Sequence, residues 1–170
     1  TAIESSKKLL RGLIGERKLK EYESIGCQPF VRLYVKLDRE LDMKARLMIV
    51  RKPLQKIIEM DKERRIYMIS YSDNASAMYW RRAYEEGVLE RQVVNEINEV
   101  FGMKVRVLKQ RLIWWECGTH YFRGSCEGRD EYLERVQRPV EDVYVVGEAF
   151  SRNQGWCEGA LESVEQIFSK

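Results

Sequence analysis

A chain of 170 residues has room for one domain, or for one and a fraction, and its 44% hydrophobic share is enough for a packed core. Charged residues make up 34% of the sequence, but they nearly cancel to a net charge of +3, and Lys and Arg are mixed with Asp and Glu. This composition argues against a nucleic-acid partner, and no apolar run is long enough to span a membrane.

The sequence gives no sign of export or of a metal centre. No signal peptide opens it, so we expect a cytoplasmic protein. Its four cysteines lack metal-ligand spacing and it has a single histidine, so no metal site is expected. Because the chain begins with Thr1 and not with methionine, we interpret it as a fragment, a processed subunit or a trimmed chain.

The N-terminal third contains one predicted helix and one predicted strand. Apolar residues at helical spacing predict a helix over residues 2–20. Strict alternation predicts a strand over residues 30–37, since every second residue is apolar. The residues expected on the buried face of this strand are Val31, Leu33, Val35 and Leu37.

Further strands are predicted at residues 46–50, 54–60 and 65–71, with a hairpin turn at 61–64. Asp73 and Asn74 then mark the start of a helix that continues past Trp80 to about Tyr84.

The second half contains the strongest helical pattern, over residues 88–101, followed by Gly102 at the position of a C-terminal cap. A long strand is predicted over 103–115, a loop over 118–128 and a helical turn over 130–136. Together, the predicted helices and strands indicate an α+β fold with a mixed, largely antiparallel sheet flanked by helices, because strands and helices do not alternate as βαβ units.

The last segment, Val143 to Phe168, carries the most specific pattern. Its apolar start predicts a short strand that ends at Gly147 and Glu148. A polar loop follows, and Gly155 opens an amphipathic helix. A carboxylate at a strand end next to a helix N-terminus is an arrangement that holds polar cofactors.

This tail, Val-Tyr-Val-Val-Gly-Glu-Ala-Phe-Ser-Arg-Asn-Gln-Gly-Trp-Cys-Glu-Gly-Ala-Leu-Glu-Ser, resembles the closing segment of the flavin-containing amine oxidases, the superfamily of monoamine, polyamine and L-amino-acid oxidases. Residues 28–34 and 68–73 (followed by Ala77 and Trp80) are similar to segments of the substrate-binding domain of these enzymes. Residues 114–122 resemble the segment that carries the chain back towards the flavin.

The resemblance implies that residues 1–140 form a substrate-binding-type domain. Residues 141–170 would supply the C-terminal strand and helix of a Rossmann-like FAD-binding domain. The GxGxxG turn that binds the ADP part of FAD in this family is absent from the sequence. FAD binding is therefore expected with a missing N-terminal half or with a partner subunit.

The resemblance also assigns cofactor-binding residues. Gly147 and Glu148 match the strand end whose carboxylate binds the ribityl and pyrophosphate part of FAD. Gly155, Trp156 and Cys157 match the helix start whose amides face the N1/O2 edge of the flavin ring. A helix N-terminus stabilises the anionic reduced flavin by roughly 0.3–1 kcal/mol.

Trp156 is also a substrate-binding candidate, because the family's aromatic residue at this position lines the substrate cavity. His120 or its neighbour Tyr121 is placed on the facing wall. Arg32, on the polar face of its predicted strand, could bind a substrate carboxylate. For each of these residues a plain packing or surface role is the alternative, and no catalytic residue is assigned.

Two functions follow from these expectations. The first is part of an FAD-dependent amine oxidase, which oxidises a C–N bond of a small amine or amino acid with hydride transfer to flavin. The alternative is a non-catalytic structural or interaction subunit with a degenerate oxidase fold that lacks the nucleotide-binding half.

Overall fold

The computed structural model describes residues 3–51, 53–124 and 128–168. Its helices are α1 (Ile3–Leu10), α2 (Glu16–Glu21), α3 (Asn74–Glu85), α4 (Leu89–Phe101), α5 (Arg129–Gln137) and α6 (Cys157–Phe168). Its strands are β1 (Ile25–Leu37), β2 (Leu47–Ile49), β3 (Lys56–Asp61), β4 (Ile66–Asp73) and β5 (Val107–Phe122). Short 3₁₀ turns cover Tyr22–Ser24 and Glu148–Phe150.

The chain divides into two compact units. The central unit comprises residues 29–118, and the terminal unit combines residues 1–28 with residues 119–170. Strands β1 and β5 each contribute residues to both units. The predicted functional boundary near residue 140 is not tested by this division and stays a prediction.

The central unit is built on an antiparallel sheet in the order β2-β3-β4-β1-β5, as the predicted α+β class requires. A β-bulge shifts the register of β1 against β4 between Leu33 and Tyr34. Helix α3 packs against β4 and against α4. The two helices bury their apolar sides in the core, where Trp80, Val93 and Ile97 are fully enclosed.

The alternation predicted for β1 is confirmed. The residues that face the core are at most 1% exposed, and they are Val31, Leu33, Val35 and Leu37. Burying each such side chain contributes about 1.5–3 kcal/mol. At the centre of the same core the Trp80 indole N–H donates to the carbonyl of Pro53 at 3.2 Å, so its one polar atom is satisfied.

The terminal unit is held together by hydrogen bonds from two tyrosines. The Tyr22 hydroxyl donates to the carbonyl of Val136 at 2.7 Å, and the Tyr132 hydroxyl donates to the carbonyl of Glu21 at 2.8 Å. Both bonds join residues more than 100 positions apart, because α5 lies against the N-terminal segment.

Two predicted boundaries are corrected. The helix predicted over 2–20 is divided into α1 and α2, because Gly15, which precedes α2, has an extended backbone with φ −69° and ψ 161°. Strand β5 starts at Val107 and continues through Phe122, where a loop was predicted. The strand continues because the N-terminal segment lies beside its end, where the Arg123 N–H donates to the Ser24 carbonyl at 2.8 Å.

The strand predicted before Gly147 is wrong, whereas the helix that follows it is confirmed as α6. The N–H of Val143 donates to the Val140 carbonyl at 3.3 Å, and the N–H of Val145 donates to the Gln137 carbonyl at 2.8 Å. The segment therefore bonds to the residues that end α5, and it forms a single isolated bridge with Val140 instead of a strand ladder.

Across the described ranges, every helix is too short or too polar to traverse a lipid bilayer.

Gly118 tests the packing of the central unit. A Cβ atom at this position would overlap the Cβ of Phe30. We expect Gly118→Ala to lower the free energy of unfolding by about 1–3 kcal/mol through overpacking. Urea denaturation followed by tryptophan fluorescence measures the change. Glu116→Ala, at an exposed position of the same strand, is the control, and equal midpoints for the two variants contradict the packing account.

Candidate functional site

Glu148 lies at the centre of the candidate site, in the terminal unit. Its Oε1 accepts hydrogen bonds from the backbone N–H of His120 at 3.0 Å and from the backbone N–H of Gly155. Its Oε2 forms a short hydrogen bond with Nδ1 of His120. The carboxylate thus joins the end of β5, the 3₁₀ turn and the loop that leads into α6.

His120 is held on both sides of its ring and is only 8% exposed. The backbone N–H of Ile3 donates to Nε2 at 3.3 Å, so Nε2 must be unprotonated. The proton is then on Nδ1, where it is donated to Glu148. Because both ring nitrogens are engaged, His120 positions the Glu148 carboxylate and has no nitrogen available to take a proton from a bound molecule.

The carboxyl group of Glu148 is stabilised in its charged form. Burial alone would raise its pKa, but the hydrogen bonds from the His120 side chain, the His120 backbone and the Gly155 backbone hold the pKa below its ordinary value. The site therefore contains a permanent negative charge at neutral pH.

The start of α6 is shaped by glycines. Gly155 has φ +87°, a conformation that favours glycine, and its N–H points back to Glu148. A Cβ at Gly159 would overlap the carbonyl of Asn153 and the hydroxyl of Ser151. The loop before the helix therefore packs directly on the helix backbone, and a larger residue at position 159 is excluded.

Gly147 contributes through its backbone. It has φ +131°, and its N–H donates to the hydroxyl of Ser163 at 2.8 Å. The Ser163 hydroxyl donates in turn to the Ala160 carbonyl at 2.7 Å, within α6. This pair ties the turn at Glu148 to the middle of the helix.

An open pocket of about 500 Å³ lies beside this cluster within the terminal unit. It brings together three of the predicted site residues, namely His120, Tyr121 and Trp156. Trp156 is 69% exposed, so its ring is available for contact and is not part of a core.

Sequence reasoning missed two arginines that also line this pocket, Arg129 and Arg152. The guanidinium group of Arg129 lies 4.3 Å from the centre of the Phe122 ring and donates to the Arg152 carbonyl at 3.0 Å. Arg152 forms an ion pair with Asp130 at 2.8 Å. Charged residues in loops and at helix starts carry no sequence signal that separates them from ordinary surface residues, so these two could not have been found in advance.

Cys157, the first residue of α6, is a free and exposed cysteine whose Sγ lies 3.2 Å from a carboxylate oxygen of Glu158. Arg32 belongs to the central unit. Partial burial alone would lower the pKa of Arg32, but the hydroxyl groups of Tyr71 and Tyr34 act as hydrogen-bond partners and raise it above its usual value.

The chain is similar to the uncharacterized protein R188 of Acanthamoeba polyphaga mimivirus, with 24% identity over 124 residues. The match covers 61% of this chain and 24% of the viral protein, so the chain spans about a quarter of the length of this curated relative. No family model matches the chain. Neither result bears on flavin, and the resemblance to the amine oxidases stays a prediction.

Glu148→Gln tests the hydrogen bonds at the carboxylate. An amide that kept both backbone N–H bonds on its oxygen would present its NH₂ group to Nδ1 of His120. The ring would then have to place its proton on Nε2, against the N–H of Ile3. We therefore expect the variant to lose about 1–3 kcal/mol of stability at pH 7, measured by thermal or urea unfolding.

The same variant should change how stability depends on pH. Because the folded-state pKa of Glu148 is lowered, its contribution is complete above the unfolded value of about 4.3 and is lost as the pH falls through the folded value. Wild-type protein and the exposed control Glu165→Gln should both lose this stability in acid. A Glu148→Gln protein with the same acid dependence as wild type would contradict this assignment.

Proposed function

We propose that this chain is the C-terminal part of an FAD-dependent amine oxidase, which oxidises a C–N bond of a small amine or amino acid. The observation that carries the proposal is the hydrogen bond between Glu148 and Gly155 before α6, next to a pocket that is lined by His120 and Trp156. A carboxylate at the end of an extended segment and a helix N-terminus are the two features that the resemblance to these oxidases requires at a single place.

The Glu148 carboxylate and the backbone N–H groups at the start of α6 retain hydrogen-bonding positions that suit a polar cofactor. A carboxylate has about four acceptor positions, and three donors from the chain occupy those of Glu148, which leaves one on Oε2. Among the described hydrogen bonds, the backbone N–H groups of Trp156 and Cys157 have no acceptor. One acceptor and two donors next to a helix start match the needs of ribityl hydroxyls and of the N1/O2 edge of a flavin.

The residues of the pocket then have separate tasks. Bound flavin supplies the hydride acceptor for the reaction. The exposed rings of Tyr121 and Trp156 are suited to position the substrate and to exclude water. His120 keeps the Glu148 carboxylate in place and acts as a positioning residue. Arg129 gives the pocket wall positive charge, which favours an anionic cofactor, whereas Arg152 is paired with Asp130.

Helix α6 supports the idea that a further protein part completes the site. Its residues Leu161, Val164 and Phe168 recur at helical spacing on one side, and they are 65%, 36% and 85% exposed. We name these three residues the α6 stripe. An apolar stripe open to solvent suits burial against another folded surface. In the proposal that surface is the nucleotide-binding part.

The alternative is a non-catalytic subunit that docks through the α6 stripe. It is favoured by the engagement of Glu148 within the chain, because a carboxylate with three internal partners needs no cofactor to be satisfied. Both functions use the α6 stripe as the docking surface, and only the oxidase binds flavin.

The test uses this chain produced together with the nucleotide-binding part, either as one longer polypeptide or as two co-expressed chains. We expect a yellow protein with bound flavin that forms hydrogen peroxide from an amine or amino acid. Glu148→Gln should lower the flavin content per folded protein, whereas Glu165→Gln, exposed on α6, should leave it unchanged.

A folded, complete and colourless protein that takes up no added FAD would refute the oxidase proposal. A double variant, Leu161→Glu with Val164→Glu, separates the alternative. If the protein never binds flavin and the double variant abolishes its association with a partner, the docking subunit is the correct function. If the double variant still associates, with or without flavin, the α6 stripe is not the docking surface.

A further inference from the structure

Arg32 occupies an unusual position on the sheet of the central unit. It lies on the face of β1 opposite to Val31 and Leu33, which point into the core. Its guanidinium group is 5.1 Å from the centre of the Tyr71 ring and 5.7 Å from the centre of the Trp115 ring. The charge is thus held between two aromatic faces on a rigid strand.

The aromatic rings around Arg32 are packed against one another. Phe30 contacts Tyr71 edge to face at a centroid distance of 4.8 Å, and it lies 5.8 Å from Trp115. Gly118 gives Phe30 the space it needs, since a side chain there would collide with it. The platform is therefore preformed, which lowers the entropy cost of binding a ligand.

No described residue compensates the positive charge of this surface. Lys56 adds a second cation, 5.2 Å from the Tyr71 ring centre. Within the described part of the chain, no ion pair joins Arg32 or Lys56 to a carboxylate. The Nε of Arg32 is shielded from solvent and has no hydrogen-bond partner. A guanidinium group with no carboxylate partner among the described residues is suited to an incoming anion.

Arg81 shows what a completed arrangement looks like in the same unit. Its guanidinium group also lies over a tryptophan, 5.5 Å from the centre of the Trp114 ring. In contrast to Arg32, it has a carboxylate partner, because its Nε donates to Glu85 at 2.7 Å. The carboxylate is the element that Arg32 lacks.

We propose that Arg32, Tyr71 and Trp115 form a binding site for a small carboxylate with an aromatic or apolar body. The planar fork of Arg32 binds the carboxylate, for which arginine is better suited than lysine. The neighbouring rings contact the body of the ligand. Lys56 contributes long-range attraction for the anion. The site needs no flavin, so it goes beyond the oxidase proposal. Either proposal can be refuted without affecting the other.

The experiment titrates the chain with phenylacetate and with its uncharged analogue phenylacetamide. Binding is followed by NMR through the indole N–H signal of Trp115, identified with the variant Trp115→Phe. We expect phenylacetate to bind at least about tenfold more tightly than phenylacetamide, since hydrogen bonds to charged groups are worth a factor of this size. Arg32→Gln should remove this preference, and Arg81→Gln should retain it.

The unchanged spectrum of core residues such as Trp80 shows that each variant is folded. If Arg32→Gln does not fold, Arg32→Lys replaces it, because lysine keeps the charge but not the planar fork, and it should lose most of the tenfold preference. Three results would overturn the proposal: no binding of phenylacetate, equal binding of acid and amide to wild type, or a response at Trp156 in place of Trp115.

Discussion

The hydrogen bonds that converge on the Glu148 carboxylate hold the terminal unit in its observed form. One carboxylate accepts donors from His120 and from Gly155, while the far side of the His120 ring accepts the N–H of Ile3. Three separate stretches of the sequence are joined in this way: the first helix, the end of β5 and the loop before α6. His120 is buried and Glu148 is partly buried, and a network of this kind stabilises a fold when each of its polar groups has a hydrogen-bond partner, as here.

The same network explains why the C-terminal segment has its particular residues. Gly155 has a left-handed conformation, Gly159 leaves room for the loop, and Ser163 accepts the N–H of Gly147. Each of these residues has a structural reason that is independent of any cofactor. The proposed function depends on what these residues leave exposed, which is the helix start at Trp156 beside a pocket with arginines in its wall. The structural roles of these residues are therefore compatible with the proposed function at the start of α6.

Sequence reasoning succeeded where local periodicity decides the structure. The alternation in β1 and the helical spacing that ends at Gly102 in α4 were both predicted, because the buried faces of such elements repeat within a few residues. It failed where the local structure depends on residues that are distant in the sequence. Strand β5 continues to Phe122 because the N-terminal segment lies beside it. The residues before Gly147 form no strand, since the Val145 N–H donates to Gln137 at the end of α5 and the Val143 N–H donates to nearby Val140. The contact between His120 and Glu148 spans 28 positions and has no local signature.

The most direct test of the carboxylate network is the protonation pattern of His120. It is the single histidine of the sequence, so its NMR signals need no further assignment. At neutral pH, the ¹⁵N shifts should show a ring protonated at Nδ1. This proton should exchange slowly with water because it is hydrogen-bonded to the Glu148 carboxylate. A ring protonated at Nε2, or one whose proton exchanges freely with water, would contradict the network on which this account rests.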